Sequence, residues 1–169
     1  MNNILSANSP AESNSDEFVF VALGGLGEIG MNVYLYGVGP IDDRQWLMVD
    51  LGITFPDDTE PGVDVILPDL RFIQSEARSL AGIVITHAHE DHIGAVIESW
   101  PSLKAPLYAT PFTVGMLKAK LAEFGKGEQP VVHEIPLKGQ FDVGEFKLEF
   151  VPMSHSIPET SGLVIRSKL

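Results

Sequence analysis

The 169-residue chain contains no cysteine, which excludes disulfides, thiolate metal sites and the secreted, disulfide-framed class of module. Any metal here must be held by His, Asp or Glu. Cationic side chains are scarce as well: 11 Lys and Arg stand against 23 Asp and Glu, a formal net charge of -12. That balance argues against a broad basic surface gripping nucleic acid by counterion release. It does not exclude a nucleic acid substrate, because bound divalent cations reverse the sign inside a local pocket. No apolar stretch approaches membrane-spanning length and no export or Arg-rich targeting pattern is visible, so the expected compartment is the cytoplasm, with no membrane partner. The length suits one domain able to hide about 70% of its unfolded surface.

Residues 1–17, MNNILSANSPAESNSDE, are rich in Ser, Asn and Glu and predict a disordered tail. Folded-domain patterning follows. FVFVAL from Phe18 reads as a buried strand and leads into GGLGEIG, where Gly25, Gly27 and Gly30 spell G-x-G-x-x-G. Asp50 lies twenty residues after Gly30, where a dinucleotide-binding unit keeps its ribose-binding acid. Such a unit needs a helix opening on the third glycine, whereas NVYLYGV alternates like a strand, GPIDDRQ is turn-forming, and WLMVD is a second strand. Asn32 to Asp50 is therefore a hairpin, no nucleotide cofactor is expected, and the glycines let backbone pass close to backbone.

A long loop bearing Pro56, Pro61 and Pro68 precedes PDLRFIQSEARSL, in which Leu70, Ile73, Ala77 and Leu80 recur at helical spacing with Asp69 in the opening turn. AGIVIT is a fully apolar strand, and after HAHEDH the stretch IGAVIESW places Ile93, Val96, Ile97 and Trp100 on one helical face. PLYAT reads as a strand and PFTVGMLKAKLAEFG as a helix, with Pro111 near its start and Gly125 at its end. The last third is β: VVHEIPL, QFDV, EFKLEFVPM and GLVIRSKL, with Val143, Gly144 and Glu145 forming a tight turn.

Three of the five histidines crowd into His87 to His92. On a loop leaving a strand, His87 and His89 can converge on one cation while Asp91 and His92, just before a helix, face a neighbouring one. Imidazole and carboxylate without thiolate suit zinc, with manganese the alternative. His155, also placed after a β segment and flanked by small polar residues, can close a three-histidine set with His87 and His89. Asp50, at a strand end, is suited to fix a ligand imidazole through its second ring nitrogen. His133 sits in a strand-surface context and is expected to be structural.

HAHEDH resembles the His-x-His-x-Asp-His motif of the metallo-β-lactamase fold, and Asp50 in VDLG resembles that fold's earlier acidic motif. GGLGEIGMN, VDLGITFPDD, THAHEDHIGA and SHSIPE together resemble the N-terminal part of the bacterial ribonuclease J family, from about Phe18 to the last residue. The resemblance implies the α/β class: an αββα sandwich of two face-to-face sheets with helices outside, residues 18–169 forming the N-terminal part of that domain. It implies two divalent metal ions, one on His87, His89 and His155 and the other on Asp91 and His92, with Asp91 also orienting the attacking hydroxide. Glu28, Asn32 and Ser156 are weaker candidates for the rim.

The family adds a bridging aspartate and a further histidine. No Asp or Glu follows Glu159, so the expectation is a truncated piece. Family members also carry a β-CASP domain that binds nucleic acid, and they form homo-oligomers. The implied activity is RNA cleavage as a 5′–3′ exonuclease and endonuclease, poor in this chain alone. Hydrolysis of a small thioester or lactam on the same fold, and a non-catalytic metal-binding module, are the competing expectations.

Overall fold

The computed structural model describes residues 15–125 and 127–169. The expected tail therefore lies, for residues 1–14, outside the described residues, and Glu17 at its far end already opens the first strand. Strands β1 (Glu17–Gly24), β2 (Val33–Gly39) and β3 (Gln45–Val49) form an antiparallel meander. Parallel strands β4 (Leu80–Val84), β5 (Leu107–Ala109) and β6 (Val132–Glu134) extend it to six strands in sequence order. A second, antiparallel sheet holds β7 (Gln140–Val143), β8 (Phe146–Pro152) and β9 (Ser161–Arg166).

Period-two alternation along the central strands builds two cores at once. Trp46, Met48 and Ile83 face a cluster with Ile73, Val96, Trp100, Val114 and Leu117 from the helical layer. Their neighbours Leu47, Val49 and Val84 face the other way, onto Val143, Phe146, Leu148 and Phe150 of the second sheet. Apolar runs such as AGIV are thus buried on both faces, as parallel strands between two layers must be. The order is helices, six-stranded sheet, three-stranded sheet. Among the described residues the helices pack on the six-stranded sheet and none is seen on the outer face of the second sheet, where an αββα sandwich carries its other helical layer.

The hairpin reading holds: β2 follows Gly30 where a dinucleotide site would open a helix. Two helices are shorter than their patterns predict. The Leu70–Leu80 pattern yields α1 (Arg71–Ser75), then one 3₁₀ turn at Ala77–Ser79, with Leu80 already in β4. The Ser75 hydroxyl donates to the Phe72 carbonyl at 2.6 Å, competing with the helical ladder just where α1 stops. The other pattern splits into α2 (Glu90–Ile93) and α3 (Val96–Leu103), because the Ala95 amide donates to Leu51 at 3.0 Å. Helix α4 (Pro111–Phe124) runs as its pattern predicts, and Gly144 at φ 56 makes the two-residue β7–β8 turn.

A candidate metal centre

The segment from Thr86 to His92 leaves β4, and the backbone after β3 locks it in place. Leu51 and Ile53 amides donate to the carbonyls of His92 (2.8 Å) and Glu90 (3.1 Å), and the Asn32 amide donates to Asp91 at 2.9 Å. Gly52 lies between these bonds. A Cβ built there would stand 1.7 Å from the Asp91 carbonyl oxygen, so only glycine lets the two strands of backbone approach this closely.

Asp50 is 2% exposed and held at φ 62. Its Oδ1 accepts from the Thr86 amide at 2.8 Å, and its Oδ2 lies 2.7 Å from His92 Nδ1. The carboxylate thus fixes His92 with Nδ1–H toward Asp50 and Nε2 turned to the site. The Thr86 hydroxyl lies 2.9 Å from Asp50 Oδ2 and 3.0 Å from His87 Nδ1. Donating to the carboxylate, it accepts from His87 Nδ1–H, which leaves a lone pair on His87 Nε2. That Nε2 is a buried side-chain nitrogen with no hydrogen-bond partner among the described residues. An orphaned buried imidazole nitrogen is costly unless something fills it.

What faces it is two more imidazoles. One ring nitrogen from each of His87, His89 and His155 lies within 4.8 Å of the others, and His155 Nε2 is 3.1 Å from His89 Nδ1. Two nitrogens bound tetrahedrally to one zinc stand about 3.3 Å apart, so these residues fit a cation. His87 is buried, His89 half-buried and His155 exposed, which leaves one side of the cluster open. Burial, together with the neighbouring His92, His89 and His155, lowers the pKa of His87 to about 4, keeping it a neutral donor near neutral pH.

Asp91 and His92 adjoin this triad. The His87 and His92 ring centres are 3.9 Å apart, and His92 Nε2 is 3.3 Å from Asp91 Oδ2. Burial lowers the pKa of His92, but the hydrogen bond and charge of Asp50, with Asp91 adding to them, outweigh it and hold the ring above its ordinary value. Asn32 ties the pair together: its Nδ2 lies 3.0 Å from Asp91 Oδ2 and 3.1 Å from His92 Nε2, while its Oδ1 accepts from Tyr34 at 2.8 Å.

The other candidates fall further out. Ser156 Oγ is 3.5 Å from His89 Nε2, at the rim. The exposed Glu28 accepts from the Gly25 amide at 3.3 Å, steadying its own loop. His133 lies on β6, stacked on Tyr108 at 4.7 Å and outside the cluster. Sequence reasoning misses Thr86 and Gly52. Thr86 was legible as a hydroxyl directly before the first histidine; Gly52 carries no local mark, since its role depends on a segment forty residues away.

A family model described as a beta-lactamase superfamily domain matches residues 58–168. The chain is 51% identical over 158 residues to the Ribonuclease J of Sinorhizobium meliloti, covering 93% of this chain and 28% of that protein. It is 37% identical over 147 residues to the Ribonuclease J of Helicobacter pylori, covering 86% of this chain and 21% of that one. The chain thus spans about a quarter of the length of these relatives. A metallo-beta-lactamase fold protein from Bacillus subtilis superposes with a TM-score of 0.55 at 15% identity, over 90% of this chain and 58% of its own.

Proposed function

The chain belongs to the beta-lactamase superfamily and has its metallo-β-lactamase-like α/β fold, and we propose that it carries the metal centre of a ribonuclease J-type enzyme that hydrolyses RNA phosphodiester bonds. The carrying observation is the orphaned His87 Nε2, facing His89 and His155 across an open cluster. The reading takes residues 18–169 as the N-terminal part of the metal domain. It also includes exonuclease and endonuclease action, a cytoplasmic setting and homo-oligomeric assembly. Among the described residues no helix is long and apolar enough to cross a membrane.

In this reading His87, His89 and His155 hold one divalent cation and Asp91 with His92 a second, zinc being favoured by the imidazole-rich donor set. When bound, such a pair supplies Lewis-acid polarisation of the phosphoryl oxygens and activation of water. Asp91, whose Oδ2 accepts from the Asn32 amide at 3.0 Å, would orient the attacking water. Thr86 keeps the lone pair of His87 aimed into the triad, and Asp50 holds His92 with Nε2 toward Asp91, where a second cation would displace the Asn32 amide from both donors. The open side by His155 and Ser156 is where substrate enters.

The test is hydrolysis of a 5′-labelled RNA alongside a lactam and a thioester, with and without chelator. The chain is expected to melt at higher temperature with zinc and to cleave RNA weakly and in a chelator-sensitive way. Turnover of the lactam or thioester in preference to RNA would instead favour a small-molecule hydrolase. Metal-dependent stability with no turnover of any substrate would favour a binding module.

A further inference from the structure

Helix α4 touches both segments that supply the imidazoles. In its third turn Lys120 Nζ pairs with Glu90 Oε1 at 2.7 Å, on the short helix that follows His89. At its N-terminus the arrangement is less ordinary. Thr110 in the N-cap position makes no side-chain cap bond, and Pro111 has no N–H, so the Phe112 amide is the first helix donor needing an outside acceptor. That acceptor is Glu159, whose Oε2 takes the bond at 2.7 Å across forty-seven positions of sequence. A carboxylate is also favoured there by the partial positive charge of the helix end.

Glu159 belongs to the loop that presents His155. The loop closes on itself through the Met153 amide, which donates to Thr160 at 2.9 Å, and the Ser161 amide donates to Thr86 at 3.2 Å. The Glu159 backbone is left-handed at φ 57, and its carbonyl accepts from Ser161 Oγ at 3.2 Å. His155 itself is exposed and lacks the packing that holds His87. Its alignment with His89 must come from the loop as a body.

We infer that Glu159 is a positioning residue: its carboxylate clasps the His155 loop to the start of α4 and so sets the place of His155 opposite His89. This rests on the metal-centre reading above, and α4 becomes the strut that registers two segments distant in sequence. The side chain needs no contact with substrate.

The experiment compares the chain with its Glu159→Ala, Glu159→Gln and Leu121→Ala variants, the last loosening the buried face of α4 away from the site. Amide hydrogen exchange is measured without metal, and zinc affinity by competition with a chromophoric chelator. In Glu159→Ala the Phe112 amide and residues 153–160 are expected to exchange about ten-fold faster. Zinc binding should weaken about 10- to 100-fold, the usual range for losing a group that orients a ligand. Glu159→Gln, which keeps an acceptor oxygen, should recover most of both. Unchanged exchange in Glu159→Ala, or an equal loss of zinc affinity in Leu121→Ala, overturns the inference. If the unaltered chain binds no zinc, the metal-centre reading fails while the exchange data still decide the clasp.

Discussion

The segment from Thr86 to His92 and the loop around His155 both present imidazoles to one place, but the fold holds them by different means. The first lies over backbone: amides of Asn32, Leu51 and Ile53 bond to Asp91, His92 and Glu90, and Gly52 lets the strands of chain approach within contact. The second is exposed at His155 and is fastened by the Glu159 side chain, a few hydrogen bonds and the packing of Ile157 against the core. The first segment is therefore preorganised by folding itself, whereas the second can be moved without unfolding the domain. Changes to the two should separate cleanly: damage to the first costs stability and binding together, and damage to the second costs binding alone.

The largest expected effect on binding comes from His155→Ala. Zinc affinity should fall more than about 100-fold, because one of three donors is lost outright. The melting temperature of the metal-free protein should barely change. Gly52→Ala probes the opposite side. The added Cβ meets the Asp91 carbonyl, and metal-free stability should fall by about 3 kcal/mol or more in denaturant titration, as forced backbone displacement in a packed region does. A melting curve unaffected by that substitution would remove the backbone-locked half of the comparison.

Asp50→Asn sharpens the contrast further, since Asp50 acts only within the first segment. Losing the charge that fixes His92 Nδ1 should weaken metal binding about 10- to 100-fold at the Asp91–His92 position while leaving the triad largely intact. Titration with zinc should then show one position retained and the other impaired.

The smallest effect expected is on pH dependence, and it belongs to the first segment. The pKa of His87 is lowered to about 4 from 6.5, so the unfolded chain takes up its proton first and metal-free stability falls as pH drops through that window. His92 is raised above 6.5; its stabilisation is complete below that value and fades as pH rises through the raised one. Melts of the metal-free protein across pH should show both slopes, with the lower-pH one lost in His87→Ala and the higher-pH one reduced in Asp50→Asn.

Much of this arrangement is legible in the sequence itself. His87, His89, Asp91 and His92 are local, and a strand end followed by a helix start states their setting in the sequence itself. The β2–β3 hairpin was equally plain, because strand alternation replaces the helix that Gly30 would otherwise open. Helix lengths were less legible: Ser75 and Ala95 divert single hydrogen bonds, and periodicity averages over them. The roles of Gly52 and Glu159 cannot be read locally, for each depends on a partner distant in sequence, Asp91 and Phe112, that only the folded chain brings near.

Imidazoles from the two differently held segments are expected to meet on one divalent ion. X-ray absorption at the zinc edge, with the chain loaded with a single equivalent, tests it most directly. Three imidazole donors at about 2.0 Å are expected, falling to two in His155→Ala. A spectrum that His155→Ala leaves unchanged would mean that the second segment supplies no ligand to the ion.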